Sequence, residues 1–324
     1  LGCQSPIKET KIHEERSLMG TFFNIDVCQS MDDDINITHK AFKQVWSRLE
    51  EIGWRMNVYD KKSDVTKVNT SLQNVVTVEQ DTYDLLNRSK IYNQRTEGAF
   101  DITVWPLIKL WREGQRVNKL PAQNDITHVR SQIGLDKIQL IPESFVKKNT
   151  DIVQIDLGGI AKGYAVDEAA AIFRKFGIEN FYIDAGGDVY AGGNNCHGKP
   201  WRIGIKDPRD PQKLYMIVEV SNASVATSGD YAQFLEIQGE RWSHIIDPST
   251  GYPQKDVVSV SVIAPTAEEA DVWATALTVL QHPSGTDLFD AMSASYASLI
   301  LQKKGEEQVE EFSSRSLENY RASQ

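Results

Sequence analysis

The sequence is poor in the residues that staple a chain or span a bilayer. Three cysteines in 324 residues, Cys3, Cys28 and Cys196, are too few and too scattered for a disulfide framework or a cysteine-built zinc site. None of the six histidines stands in a His-x3-His pair, which disfavours a zinc hydrolase. No run of 18 apolar residues occurs, so no segment reads as a membrane-spanning helix. Lys and Arg number 35 against 45 Asp and Glu, a formal charge of −10 with no long basic run, which argues against nucleic acid as the main partner. A local basic site can still hold a phosphate-bearing ligand, because the sign of a pocket is set by its own neighbours. Internal repeats and low-complexity segments are absent as well.

What is present describes a globular protein. Apolar residues make up 40% and charged residues 25%, with a mean hydropathy of −0.40, enough to bury a sizeable core in one large or two closely joined domains. Leu1-Gly2-Cys3 and the polar Gln4 to Thr10 look like the trimmed end of a bacterial lipoprotein signal peptide, whose cysteine is lipidated. The expectation is a lipid anchor at Cys3 and a flexible tether over residues 1–16, against the alternative of an arbitrary start with an exposed thiol. Cys28 and Cys196 read as ordinary strand or loop residues.

Periodicity sets the element order. Thr21 to Cys28 alternates as a strand, and Ile37, Phe42, Val45, Trp46, Leu49 and Ile52 recur at helical spacing over Ile35 to Trp54. A second helix is expected from Glu79 to Arg95, ended by Gly98, and an aromatic core patch from Trp105 to Trp111. A strand at Val153 to Leu157 meets Gly158-Gly159, a helix from Ile160 to Phe176 and a return strand at Phe181 to Ala185, an order that presents backbone N–H groups at a helix start. Strands follow at Arg202 to Lys206, Leu214 to Val220, Gln233 to Ile237, Trp242 to Ile246 and Val257 to Ala264. Thr266 and Glu269 form a capping box before a helix to Leu280. A short helix near Leu288, a strand at Ser298 to Gln302 and a loose polar tail over 303–324 complete an α+β pattern with mixed or antiparallel sheets and packed helices.

Four segments carry chemistry. Asp271 and Thr275, four residues apart on the capped helix, share one face and offer hard oxygens suited to Mg2+, although an exposed Asp and an ordinary Thr would read the same. Asp156-Leu157-Gly158-Gly159-Ile160-Ala161-Lys162 allows close backbone approach to a ligand, with Lys162 in reach of a phosphate, and matches neither Walker A nor the dinucleotide fingerprint. Thr227-Ser228-Gly229-Asp230 supplies hydroxyls and a turn. His244-Ile245-Ile246-Asp247-Pro248-Ser249-Thr250-Gly251 ends a strand with a histidine fit for proton transfer or ligand binding. Gly186-Gly187-Asp188 is a weaker signal, equally at home in a plain hairpin turn.

Taken in order with Met19-Gly20-Thr21, Gly98-Ala99-Phe100-Asp101-Ile102-Thr103 and Ala270 to Ala276, these segments resemble the ApbE family of FAD:protein FMN transferases over Ser17 to Gln281. The resemblance implies an ApbE-like domain over 17–302, as one unit or two subdomains. It implies Mg2+-dependent cleavage of the FAD pyrophosphate, attachment of FMN to a Thr or Ser of a target protein, and release of AMP. The metal positions are Asp271, Thr275 and, through its carbonyl, Gly159. Met19, Tyr59, Ala99, Phe100, Asp101, Asp156, Lys162 and Ile246 match FAD-contacting positions, with Thr227 and Ser228 beside them. His244 and Asp271 are the implied catalytic pair; Asp247 and Asp230 default to turn building. A tyrosine at Tyr59 leans towards transfer rather than FAD hydrolysis. The implied partner is an acceptor with a flavinylation motif, typically a membrane redox subunit. The implied place is the outer face of the inner membrane in the bacterial cell envelope. FAD hydrolysis to FMN and AMP, and a non-catalytic FAD-binding lipoprotein, are the competing readings.

Overall fold

The computed structural model describes residues 9–30, 34–72, 74–229, 234–305 and 308–322. Cys3 and Asp230 lie outside them. β1 (Glu9–Leu18) and β2 (Thr21–Ser30) form a hairpin, followed by α1 (Ile35–Arg55), α2 (Asp64–Asn69), β3 (Val75–Thr77), α3 (Gln80–Arg95), α4 (Trp105–Arg116) and α5 (Gln123–Gln132). β4 (Ile138–Ile141) and β5 (Phe145–Lys148) join β3 in a small sheet, and α6 (Ala161–Lys175) leads into the hairpin of β6 (Phe181–Ala185) and β7 (Asp188–Gly192). Next come β8 (Trp201–Asp207), β9 (Asp210–Val220), β10 (Ala223–Gly229), β11 (Phe234–Ile237), β12 (Glu240–Ser243) and β13 (Val257–Ala264). α7 (Ala267–Leu280), α8 (Ser284–Asp290), β14 (Ala297–Lys304) and β15 (Gln308–Ser313) finish the chain.

The frame is an eight-stranded antiparallel sheet in the order β1-β2-β6-β7-β10-β13-β14-β15. One face packs on α1, α6 and α7, whose Phe42, Trp46, Phe173 and Trp273 are fully buried with Phe23, Ile183 and Val262 of the sheet. The other face is covered by the β8–β9 ribbon, which buries Ile203, Ile205 and Val218 against Val189, Val225 and Ile263. Every residue of β13 is therefore buried, and its run of Val, Ile and Ser is the sequence of a strand covered twice. A third cluster joins Leu107 and Trp111 of α4 to Ile126 of α5 and to Leu235 and Trp242 of the β11–β12 hairpin.

The capping box holds: the Thr266 hydroxyl accepts the Glu269 N–H at 3.2 Å. A second cap comes from α6, where the Asp167 carboxylate accepts the Ala267 and Glu268 N–H groups, both at 2.8 Å. This carboxylate pins the start of α7 to α6, and burial pushes its pKa up to about 7 despite those two donors.

Five expectations are corrected. The segment 1–16 expected as a tether already contains most of β1, and the tail 303–324 expected to be loose contains β15 and the buried Leu317. Both strands are edges of the large sheet, whose outer faces are solvated; their charged residues hide the alternation that marks an inner strand. Val153 to Leu157 is extended with Val153, Ile155 and Leu157 buried, but makes only an isolated bridge between Gln154 and Val104 instead of a strand. Trp242 to Ile246 stops pairing at Ser243, which frees His244 to turn towards a cleft.

Cys28 and Cys196, expected as ordinary residues, are joined in a disulfide across 168 positions. It ties β2 to the loop between β7 and β8, a proximity that exists only once β2 has paired with β6. Converting both to Ser is expected to cost about 2–5 kcal/mol of stability, because the bond closes a very long loop in the unfolded chain. An unchanged urea midpoint on reduction would contradict this.

Candidate active site

A cleft of about 1200 Å³ opens where the β1–β2 and β6–β7 turns, the end of α1, the start of α6, β8 and the middle of α7 meet. All of the site residues expected from the sequence line it: Met19, Tyr59, Ala99, Phe100, Asp101, Asp156, Gly159, Lys162, Thr227, Ser228, His244, Ile246, Asp271 and Thr275. They come from segments spread over most of the chain.

The innermost corner is built on the contact of α6 with α7. Asp271 is buried, and its Oδ2 accepts the Gly163 N–H at 3.1 Å. Thr275 lies one turn further along the same face, and Gly159 packs against it so closely that an added Cβ would sit 3.2 Å from the Thr275 Oγ1 and 3.3 Å from the Phe100 ring. A carboxylate, a hydroxyl and the backbone of a glycine with little room for a side chain thus converge. Among the described residues no group of three or more His, Cys, Asp or Glu side chains is placed to hold a metal ion, so a metal held here would lean on hydroxyl, carbonyl and ligand oxygens. That donor set fits Mg2+, which keeps open positions for water and phosphate.

Lys162 lies between two acids. Its ammonium pairs with the buried Asp188 carboxylate and stands 3.8 Å from the Asp271 Oδ1. Burial alone pulls the lysine down, but the Asp188 and Asp271 charges outweigh it and hold the ammonium above its ordinary range. Burial, then the Asp188 charge, pushes Asp271 up, opposed by Lys162 and the Gly163 N–H. Lys162 thus offsets the charge of two buried carboxylates in one corner of the cleft.

Along the walls, Asp101 accepts the Thr103 N–H at 2.7 Å and its hydroxyl at 2.6 Å, and burial raises its pKa. Asp156 accepts the Gly158 N–H at 3.0 Å and is likewise raised by burial, against the pull of Arg112. Thr227 shares a 2.8 Å hydrogen bond with Ser261. At the mouth, the exposed Tyr59 meets Trp105 edge to face at 5.6 Å and accepts a hydrogen bond from Arg112. Arg112 itself lies over both rings, 5.7 and 5.3 Å from their centroids. His244 and Ile246 enter from the loop after β12. Asp247 builds that loop, accepting the Ser249 N–H at 2.7 Å.

Sequence reasoning undervalued Asp188 and passed over Asp184, Arg112, Arg202 and Lys206, which also line the cleft. Only Gly186-Gly187-Asp188 carried a signal. The strand and helix positions of the others look like ordinary solvated charge until the fold closes.

Together these features define an α+β protein with a cleft of about 1200 Å³ that contains an oxygen-rich, metal-compatible corner. The chain belongs to the ApbE family, whose profile matches residues 19–300. It is 33% identical to the FAD:protein FMN transferase of Haemophilus influenzae, over 94% of this chain and 90% of the relative. The corresponding Escherichia coli transferase is 32% identical, over 86% of this chain and 83% of its own length. Among solved structures, the flavin transferase ApbE from Vibrio cholerae superposes with a TM-score of 0.84 at 30% identity, covering 96% of this chain and 99% of that one. The ApbE protein from Thermotoga maritima gives 0.86 at 31% identity, covering 97% and 100%.

Proposed function

We propose that this protein cleaves the pyrophosphate of FAD and passes the FMN half to a Thr or Ser hydroxyl of an acceptor protein, releasing AMP. In that reaction the acceptor oxygen forms a bond to the FMN phosphorus, the bond from that phosphorus to the bridging oxygen breaks, and the hydroxyl proton leaves to a base. The observation that carries the reading is convergence: Asp271, Thr275 and Gly159 meet beside Lys162 at one end of a cleft large enough for a dinucleotide.

A Mg2+ ion held by Asp271, Thr275 and the Gly159 carbonyl would neutralise charge gathering on the phosphates. Lys162 adds a fixed ammonium beside them, and Asp188 and Asp271 keep it protonated. Ala99, Phe100 and Met19 give the apolar wall on which a flat ring system rests. His244 stands at the cleft to take the acceptor proton, because a Thr hydroxyl is a poor nucleophile until a base removes it.

His244→Ala is expected to slow turnover ~100- to 10,000-fold while leaving FAD affinity intact. Titration of FAD alongside the rate separates the alternatives, since equal losses in both would make His244 a ligand-binding residue.

The proposal extends to place and partner: an extracytoplasmic protein anchored through a lipidated Cys3 and acting on a membrane redox subunit. The Cys28–Cys196 disulfide supports an oxidising compartment.

A further inference from the structure

The β8 strand borders the cleft in an unusual way. A strand that shows one face to a cavity contributes alternate residues, because side chains point to opposite sides in turn. Here five consecutive residues, Arg202, Ile203, Gly204, Ile205 and Lys206, line the cleft, while Ile203 and Ile205 are also buried under the ribbon. The strand therefore meets the cleft along its edge. β8 pairs with β9 on one side, and among the described residues no other strand pairs with it. About 17 Å of edge, with its unpaired backbone donors and acceptors, runs beside the reaction site.

The side chains along this edge are basic in a protein of net charge −10. Arg202 and Lys206 are exposed on either side of the exposed Gly204. Arg202 has Glu219 across the ladder at 3.6 Å, and Lys206 lines the same cleft as Asp184. Charged residues also protect edges from chance pairing, and the irregular register at Ile205 to Asp207 would do the same. Protection alone gives no reason for the basic edge to run into the cleft.

We propose that the open edge of β8 docks the acceptor as an added strand, with Arg202 and Lys206 selecting carboxylates that flank its Thr or Ser. This rests on the flavin-transfer reading. Backbone pairing holds an extended segment whatever its sequence, and the two cations supply the preference for acidic neighbours. Strand addition also brings the acceptor hydroxyl alongside the cleft that β8 lines.

The test uses the full chain, FAD and Mg2+ with a synthetic peptide holding one Thr between Asp and Gly residues, and its Asn-substituted counterpart. Hydrogen exchange of the 202–206 amides should slow at least tenfold with the Asp peptide and much less with the Asn peptide. Arg202→Glu with Lys206→Glu should raise the peptide KM about tenfold with FAD affinity unchanged, and a Lys-substituted peptide should regain affinity for that variant. A flavin-labelled peptide with β8 unprotected, an unchanged KM, or no binding of the Asp peptide overturns the docking site. Protection of β8 without any label on the peptide would instead support the docking site and count against flavin transfer.

Discussion

Asp271→Ala is expected to lower turnover roughly 1,000-fold, about 4 kcal/mol of transition-state stabilisation, with the fold retained. Asp271 is the one carboxylate of the donor set, lies buried on α7, and stands 3.8 Å from the Lys162 ammonium. Removing it leaves the phosphates facing Lys162 alone. Because alanine also orphans the Gly163 N–H, Asp271→Asn is the cleaner variant: it keeps an acceptor near that donor and loses the charge. The same loss in both variants assigns the effect to charge. An asparagine variant with normal turnover would remove Asp271 from the reaction.

The second large effect concerns a residue without a side chain. Inside a helix, glycine to alanine ordinarily stabilises by about 1 kcal/mol. At Gly163 the sign should reverse, since an added Cβ would lie 2.3 Å from the Ala267 carbonyl oxygen and 2.7 Å from the Glu268 Cα, both of them backbone. Gly163→Ala is expected to destabilise by about 3 kcal/mol, the upper range of overpacking, because neither helix can yield without moving the other. It should also cost activity, because the Gly163 N–H holds Asp271 and an error of about 1 Å at such a position can cost ~100-fold. Thermal unfolding and turnover of the folded fraction measure the two consequences separately. A variant as stable as the parent would show that α6 and α7 do not rely on this contact.

The sequence disclosed most where a local rule and a buried role coincide. β13 and the capped α7 have the expected starts because doubly covered apolar strands and Thr-x-x-Glu caps are local signals. Asp271 with Thr275, the Asp156 to Lys162 turn, Thr227 with Ser228, and His244 are legible as local patterns, whereas Met19, Tyr59, Ala99, Phe100, Asp101 and Ile246 come only from the family resemblance; all of them line the cleft. The edge strands β1 and β15 were obscured by their charged solvent faces. The disulfide could not be read at all, since partners 168 residues apart meet only through sheet pairing. The same holds for the pairing of Lys162 with Asp188 and for the basic edge of β8, both products of tertiary closure.

The most direct measurement incubates the protein with FAD, Mg2+ and a protein bearing a family-type acceptor sequence, following AMP release and flavin fluorescence of the denatured acceptor. The account predicts fluorescence on the acceptor matched by AMP, both lost with EDTA and in Asp271→Ala. FAD that stays bound and intact in the presence of Mg2+, or AMP with free FMN and an unlabelled acceptor, would contradict it.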